Sequence, residues 1–234
     1  MSKLAFYLLT RNIYQDVIPS LKSILKNGNI DQAWLLIEDD DIGFDLPEDV
    51  ITYNISQWRD KYLDPDGPNY RCRWSYMVMM KVLLCNIFPY DKALTIDVDT
   101  IVRGDVSRLW DIDMTGYYIA GAREPFWSQR YHQDYVNAGV LMWNLQMMRD
   151  GMADRILRAM NTQPYTFVEQ DALNYHCWDR IRVIGSEYNA GDWTEKPNEE
   201  IKIRHYMASK GLWKAEPEVL KYANMSWEEV FGYE

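Results

Sequence analysis

The sequence predicts an α/β fold with a mostly parallel central sheet and helices on both faces. Short apolar runs rich in Leu, Ile and Val occupy residues 4–9, 33–37 and 93–96, and such runs suit strands that are covered on both sides. Residues 13–25 and 74–88 lie between them and repeat apolar side chains with helical spacing. Strands that alternate with helices in this way are typical of a parallel sheet.

Turn and helix-stop residues set the limits of the predicted elements. The first helix is expected to stop at Asn27-Gly28, and the second at Pro89. The first half is predicted to contain strand 4–9, helix 13–25, strand 33–37, strand 50–55, helix 74–88 and strand 93–96. The second half is predicted to contain strand 117–120, loop 124–135, strand 136–144, helix 145–160, a helix beginning near 169, strand 181–184, strand 201–206 and loop 208–213.

Length and charge limit the classes of function. The 234 residues suit one domain, residues 1–234. The net charge of −10 argues against binding to nucleic acid or anionic lipid, because both present polyanionic surfaces. An anionic substrate held through a metal ion is still compatible with this charge. Aromatic residues make up 14% of the chain, and their flat rings suit stacking against sugars and bases.

The cysteines and the N-terminus indicate a cytoplasmic protein. Cys72, Cys85 and Cys177 are odd in number and form no CxxC motif, so neither a disulfide framework nor a zinc site is expected. The apolar run near the N-terminus is too short for a signal peptide. No stretch approaches the roughly 20 apolar residues of a membrane span, so we expect no transmembrane segment.

Two carboxylates directly follow the buried strand 93–96. Asp97 and Asp99 are separated by Val98, so their side chains point the same way along an extended chain. Ligands of open α/β sheets bind beyond the carboxyl ends of the strands, and hard divalent cations prefer oxygen ligands. One hypothesis is therefore a metal site for a diphosphate. The spacing fits equally well a pair of solvated aspartates at the start of a loop.

Other polar residues stand at the ends of predicted elements. Asn137 opens strand 136–144, and Gly139 permits close approach to the backbone, although a capped strand end also explains Asn137. Glu169 and Asp171 open a helix, where acidic side chains favour the helix dipole. His205 ends strand 201–206, a position that is also common for a surface histidine.

Four segments together resemble the family 8 glycosyltransferases, which include glycogenin and bacterial lipopolysaccharide galactosyl- and glucosyltransferases. The chain has no GxGxxG after its first strand and no GxxxxGK[ST], so the common nucleotide-binding loops are absent from the sequence. The resemblance runs from about residue 4 to residue 213. Its segments are residues 91–110 with Asp97-Val98-Asp99, Val136-Asn137-Ala138-Gly139-Val140, Glu169-Gln170-Asp171-Ala172-Leu173-Asn174, and residues 205–213.

The resemblance implies a GT-A fold, which is Rossmann-like with a mixed, mostly parallel sheet, and a retaining transfer from a UDP-sugar. Mn²⁺ is the usual metal, with Mg²⁺ as an alternative, and its ligands would be Asp97, Asp99 and His205. An imidazole beside carboxylate oxygens suits Mn²⁺ better than Mg²⁺. The donor-binding positions of the family fall on Thr10, Asn12, Tyr14, Lys81, Asp97, Val98, Asn137, Ala138, Glu169 and Lys210, the first three beside uracil.

The same resemblance places Gln170 and Asp171 in the catalytic position. In a double displacement, one of them is the attacking group. In a front-face substitution, the leaving phosphate itself takes the proton of the acceptor. The sequence leaves both routes open, and we favour the front-face route.

The chain departs from the family pattern at several positions. Lys81 stands where the family often has Arg, and Lys lacks the bidentate fork of Arg. Glu169 replaces Asp and is longer by one methylene. Lys210 lies one place before the lysine of the family, and Leu212 replaces its proline. Lys210 and Lys214 are therefore both candidates for the diphosphate contact.

The donor hexose is left open among glucose, galactose and N-acetylglucosamine, and the acceptor among a glycan, a lipid-linked glycan and a protein. Acceptor sites lie in variable loops, so residues 124–135 and 185–200 are candidates, with Trp127 and Trp193 as stacking rings. The alternative to an enzyme is a non-catalytic sugar-nucleotide-binding or scaffold protein of the same fold. A haloacid dehalogenase-type phosphatase is disfavoured, because its Asp-x-Asp motif usually lies on the first strand.

Overall fold

A computed structural model describes residues 2–128, 131–207 and 211–232 of the chain. Its strands are β1 (Leu4–Leu8), β2 (Gln32–Ile37), β3 (Val50–Asn54), β4 (Lys92–Ile96), β5 (Thr100–Val102), β6 (Ile119–Arg123), β7 (Val136–Asn144), β8 (Ile181–Ile184) and β9 (Ile203–His205). Its helices are α1 (Ile18–Asn27), α2 (Ser56–Tyr62), α3 (Met77–Met80), α4 (Leu84–Ile87), α5 (Pro125–Ser128), α6 (Leu145–Met148), α7 (Met152–Thr162), α8 (Val168–His176), α9 (Pro217–Asn224) and α10 (Trp227–Phe231).

Seven strands form the central sheet in the order β3-β2-β1-β4-β7-β6-β8. Only β7 runs antiparallel to its neighbours β4 and β6, and the other four pairings are parallel. A separate antiparallel pair joins β5 to β9. The mixed, mostly parallel sheet expected from the sequence is therefore confirmed.

The central sheet has an apolar core on each face. Along β1, Leu4 and Phe6 pack into one hydrophobic cluster, while Ala5 and Tyr7 pack into the other, as the two-residue period of a strand requires. The first cluster includes the methionines of α3 and the apolar residues of α7 and α8. The second includes the buried face of α1. Both faces of β1 and β4 are thus covered, which explains their continuous apolar sequences.

Three predicted helices have different limits in the structure. The helix predicted at 13–25 begins as two short 3-10 turns and becomes α1 only at Ile18, followed by Pro19 in its first turn. The helix predicted at 74–88 begins at Met77, because Ser75 has a left-handed φ of 70°. The helix predicted at 145–160 is divided into α6 and α7 by Gly151, which also has a positive φ.

Several helices were not predicted from the sequence. Helix α2 follows β3, α5 lies inside the predicted loop 124–135, and α9 and α10 end the described chain. Helix α9 packs on α1, where Asn27 Nδ2 donates to the Tyr222 hydroxyl at 2.7 Å. Ser226 and Glu229 form a capping box at the start of α10, a signal that the sequence does contain. None of the described helices has the length and apolar character needed to cross a membrane.

A buried hydrogen bond joins two central strands, and we predict that it stabilises the sheet. Trp143 Nε1 of β7 donates to Thr95 Oγ1 of β4 at 2.8 Å, and both side chains are fully buried. Thr95→Val keeps the shape but leaves the indole donor unsatisfied, so we expect a loss of about 1–3 kcal/mol in the free energy of unfolding. Urea unfolding measures this loss.

The matched control is Thr52→Val on strand β3, whose side chain is only partly buried. Its expected effect is within about 0.5 kcal/mol. Equal effects of the two substitutions would show that the Trp143–Thr95 bond contributes nothing to stability.

Candidate active site

The Asp-x-Asp segment follows β4, the strand that joins the parallel strands of the central sheet to the antiparallel strand β7. Asp97-Val98-Asp99 follows the carboxyl end of β4, between the parallel neighbour β1 and the antiparallel neighbour β7. Asp97 N donates to Gly139 O at 2.8 Å, and Thr100 Oγ1 donates to Asp97 O at 2.8 Å. These bonds fix the turn that carries both carboxylates. Crevices at such points are the usual ligand sites of open α/β sheets.

Asp97, Asp99 and His205 come together as a possible metal site. One ligand atom from each lies within 4.8 Å of the other two. His205 belongs to β9, and the pairing of Thr100 with His205 brings it beside the aspartates. A Cβ on Gly139 would lie 2.1 Å from His205 Cε1, so only glycine lets the ring take this place. Two carboxylates and one imidazole are a suitable ligand set for a divalent cation.

Asp99 and His205 shift each other's pKa values. His205 Nε2 lies 3.1 Å from Asp99 Oδ1. Burial alone would lower the pKa of His205, but the Asp99 carboxylate outweighs it and the net pKa is raised. Burial would raise the pKa of Asp99, but the charge and hydrogen bond of His205 bring it below its ordinary value. In the absence of a metal, the two side chains therefore favour an ion pair.

A line of hydrogen bonds behind the histidine fixes its orientation. His205 Nδ1 donates to Asn189 Oδ1 at 2.8 Å, which leaves Nε2 facing Asp99. Asn189 Nδ2 donates to Asn137 Oδ1 at 2.9 Å, and Asn137 Nδ2 donates to Glu124 Oε2 at 3.1 Å. Burial raises the pKa of Glu124. Sequence reasoning missed Asn189 and Glu124, because no spacing pattern links them to the aspartates.

Lys81 is a buried cation at the base of the site. Only 3% of this residue is exposed, and its Nζ donates to Asp97 Oδ1 at 2.8 Å, Ala138 O at 3.0 Å and Glu169 Oε1 at 3.2 Å. Burial alone would lower the pKa of Lys81, but the two carboxylates outweigh it and raise it. Burial raises the pKa of Glu169 despite the ion pair. Lys81 thus contacts Asp97, Ala138 and Glu169, and all four were predicted as donor-binding positions.

Gln170 and Asp171 face different surroundings. Gln170 borders the cleft beside Asp97, and its Oε1 accepts from Ala138 N at 2.9 Å while its Nε2 donates to the Tyr135 hydroxyl at 3.2 Å. The Asp171 carboxylate accepts from the Tyr135 hydroxyl and from Phe167 N. It borders a second cavity and is absent from the residues that line the cleft. The second of these bonds ties Asp171 to the backbone N–H of Phe167, which directly precedes α8.

The cleft above these residues has a volume of about 640 Å³. Its polar floor is formed by Lys81, Asp97, Asp99, Asn137, Glu169, Gln170 and His205. Aromatic side chains form much of the remaining wall: Trp74, Phe126, Trp127, Phe167, Trp193 and Trp213. Phe126 and Trp193 meet edge to face with centroids 5.4 Å apart. A polar floor below aromatic walls suits a polar ligand with flat apolar faces.

Of the remaining residues predicted to bind the donor, Thr10, Asn12 and Tyr14 are not among the residues that line the cleft. Thr10 and Asn12 bond each other at 2.6 Å, and the Tyr14 hydroxyl donates to Asp39. From this part of the chain, Leu8, Ile13 and Asp16 line the cleft instead. Val98 and Lys214 also line it. Lys210 lies outside the described residues.

Comparison with known proteins identifies the family. The model of glycosyl transferase family 8 matches residues 2–216, so the chain belongs to this family. A Haemophilus influenzae protein whose name assigns it to the glycosyltransferases is 27% identical over 176 residues, which are 64% of this chain and 53% of that protein. Glycosyltransferase GlyB of Streptococcus pneumoniae is 28% identical over 117 residues, which are 49% of this chain and 28% of GlyB. The chain thus spans at most about half the length of these relatives.

Solved structures share the fold. The glycosyltransferase GlyE of Streptococcus pneumoniae superposes with a TM-score of 0.77 at 17% identity and covers 99% of this chain and 62% of its own. The galactosyltransferase LgtC, solved with donor and acceptor sugar analogues, gives a TM-score of 0.69 at 16% identity over 99% of this chain and 100% of its own. Like these neighbours, the chain has the GT-A fold.

We predict that Asn189 supports metal binding through His205. Asn189→Ala removes the acceptor that orients the imidazole, so affinity for a divalent probe such as Mn²⁺ should fall about 10–100-fold. Calorimetric titration measures the change. Asn198→Ala is the control, because Asn198 is exposed and the hydrogen bond described for its side chain is a long one of 3.4 Å from Arg103. If both variants bind alike, the orienting role is refuted.

Metal affinity should also depend on pH in a defined direction. The raised pKa of His205 means that its proton is retained above the ordinary value of 6.5. A metal must displace that proton, so affinity should be weak at low pH and strengthen as pH rises through the His205 pKa. A metal affinity that stays constant as the pH rises through and above 6.5 would exclude His205 as a ligand.

Removing the Lys81 cation should destabilise the metal-free protein strongly. Lys81→Met leaves Asp97 and Glu169 without their buried partner, and we expect a loss of about 3–5 kcal/mol in the free energy of unfolding. The double variant Lys81→Met/Glu169→Gln should recover part of this loss, because it removes one of the unpaired charges. A single variant as stable as the parent would show that the two ion pairs are energetically neutral.

Proposed function

We propose that this protein is a metal-dependent, retaining hexosyltransferase that moves glucose, galactose or N-acetylglucosamine from a UDP-sugar to a hydroxyl acceptor. The observation that carries the proposal is the convergence of Asp97, Asp99 and His205 at the floor of a cleft. Membership of glycosyltransferase family 8 supports the type of reaction. The intact triad weighs against a non-catalytic scaffold, which would have no need to retain all three ligands.

Mn²⁺ is the proposed metal, with Mg²⁺ as the alternative. A single imidazole among oxygen ligands favours Mn²⁺, since Mg²⁺ prefers an all-oxygen set. The metal, when bound, would act as a Lewis acid that neutralises charge on the departing UDP. The Lys81 ammonium donates to one oxygen of Asp97 and compensates the negative charge there.

The donor sugar is proposed to lie over Lys81, Asn137, Ala138, Glu169 and Gln170. Glu169 and Lys81 form a buried pair that lines the cleft. The three donors of Lys81 Nζ are held by Asp97, Ala138 and Glu169, so Lys81 orients Glu169, whose second oxygen can accept a hydrogen bond from a sugar hydroxyl. The uracil is proposed to lie towards the end of β1, near Thr10, Asn12 and Tyr14, where Leu8 and Ile13 line the cleft. Val98 also lines the cleft, and it is proposed to lie between the sugar and the uracil of the donor.

The diphosphate needs cations besides the metal. Lys214 lines the cleft, and its Nζ donates to Asp16 Oδ1 at 2.6 Å. Half of the Lys214 side chain is exposed, so exchange of Asp16 for a phosphate oxygen requires little rearrangement. Lys214 and Lys210 are both retained as proposed diphosphate contacts, and Arg73 offers a further positive charge at the wall.

The arrangement of Gln170 and Asp171 favours a front-face substitution. The two amide atoms of Gln170 are engaged by Ala138 and Tyr135, and an amide is a weak nucleophile. The Asp171 carboxylate is held by Tyr135 and Phe167. In the proposed step, the bond from the anomeric carbon to UDP breaks and the acceptor oxygen bonds to the same face. The acceptor proton passes to the departing phosphate oxygen, and Gln170 positions the sugar.

The acceptor is proposed to be a glycan, a lipid-linked glycan or a protein that enters along the aromatic wall. Trp127 and Trp193 both line the cleft, and Phe126 beside Trp193 is 65% exposed. Such rings stack on the apolar faces of sugars. We further propose that residues 1–234 form one catalytic domain. A cytoplasmic location is supported by the three free cysteines.

The decisive experiment is nucleotide release from a panel of UDP- and GDP-hexoses with and without Mn²⁺. Metal-dependent UDP release from one donor is the expected result, and it would name the sugar. Asp99→Asn should lower this release by at least about 10²-fold, because it removes a charged metal ligand. Leu220→Ala, exposed on α9, should leave release unchanged.

Two results would contradict the proposal. Full release by Asp99→Asn would show that the metal assignment is wrong. Neither release nor Mn²⁺-dependent UDP binding by the parent protein would favour the scaffold function. UDP binding is measured separately because some transferases hydrolyse their donor poorly without an acceptor.

A further inference from the structure

A second cavity shares helix α8 with the cleft. Its volume is about 880 Å³, within the range of about 300–1,000 Å³ that is typical of ligand pockets. Glu169 and Gln170 of α8 line the cleft, whereas Asp171, Asn174 and Tyr175 line the second cavity. The Tyr135 hydroxyl bonds both Gln170 and Asp171, so it links the two walls.

Exposed aromatic rings surround this cavity. Tyr175 is 68% exposed and Trp178 is 62% exposed, and both line it together with Tyr131 and Tyr165. Single exposed rings are common on protein surfaces and need no explanation. Several rings around one concave surface form a patch that a ligand with apolar faces would cover.

Charged groups in the cavity are present but balanced. Arg155, Arg180, Asp171 and Asp179 all line the cavity, which gives two charges of each sign. Within the described part of the chain, neither guanidinium forms a salt bridge, although Arg180 stacks on the Tyr118 ring at 5.8 Å. A nucleoside diphosphate or a nucleic acid would require a positive excess. Balanced planar donors and acceptors beside aromatic rings instead match the hydroxyls of an uncharged sugar.

We propose that the second cavity binds a neutral oligosaccharide. Resting on the proposed transferase function, this oligosaccharide is the distal part of a glycan acceptor whose growing end enters the cleft. Trp178 and Tyr175 stack on sugar rings, and Arg155, Arg180 and Asp179 bond their hydroxyls. Binding at a second place on the same glycan raises the effective concentration of the acceptor end at the cleft.

The test measures oligosaccharide binding without catalysis. The probes are linear hexasaccharides of α-1,4-glucose, β-1,4-glucose and β-1,4-galactose, titrated into the full chain by calorimetry and saturation-transfer NMR. At least one should bind the parent and Asp99→Asn with equal affinity. Trp178→Ala and Tyr175→Ala should each weaken it roughly tenfold, because each removes a stacking ring. Leu220→Ala, exposed outside the cavity, is the control.

Any of three results would overturn the proposal: no hexasaccharide binds, binding survives both aromatic substitutions, or the chain forms a dimer that Trp178→Ala disperses. An unchanged melting temperature for Trp178→Ala shows that the substitution acts on the surface alone. UDP release is scored separately. Release without hexasaccharide binding removes only the second site. Hexasaccharide binding with neither UDP release nor Mn²⁺-dependent UDP binding keeps an oligosaccharide site but removes the transferase function and, with it, the assignment of that oligosaccharide as the acceptor.

Discussion

The buried ammonium of Lys81 is the interaction on which the site depends. Asp97 at the end of β4 and Glu169 at the start of α8 both bond its Nζ, and Ala138 of β7 accepts a third bond. The buried Glu169 carboxylate is costly without a cation, so Lys81 allows a strand end and a helix start to meet at one point. It also leaves Asp99 and the second oxygen of Asp97 unbonded to Lys81, at the position proposed for a divalent cation. The site therefore has one permanent positive charge beside the proposed cation position.

The reversed direction of β7 places the other polar groups. Because β7 runs antiparallel to β4, its first residues lie beside the last residues of β4. Asn137 and Ala138 thus reach the cleft, and Gly139 leaves space for the His205 ring. The same strand contributes Trp143 to the buried bond with Thr95 at the middle of the sheet. One strand therefore serves both the stability of the sheet and the shape of the site.

Local patterns were sufficient to predict most strands, whereas the candidate metal triad was predicted from the resemblance to glycosyltransferase family 8, because spacing alone left the roles of Asp97, Asp99 and His205 open. Strand 136–144 and strand 181–184 were predicted with the limits that the structure shows, because apolar runs and their polar ends are encoded locally. Helices α2, α9 and α10 were missed. Helices α9 and α10 pack on α1, and this packing stabilises them more than their own periodicity, although the capping box at Ser226 was a local signal for α10. Asn189 and Glu124 were missed for a related reason. Their roles arise from contacts between residues that are distant in sequence.

The pairing of β5 with β9 has a consequence for the order in which the protein becomes competent during synthesis. Both aspartates leave the ribosome long before His205, which reaches them only when β9 has paired with β5. Until then, a nascent chain offers a cation two carboxylates but no imidazole. A metal ion held by all three proposed ligands must therefore await the last third of the chain. For the proposed transferase, an incompletely folded chain would thus have little capacity to consume its sugar donor wastefully.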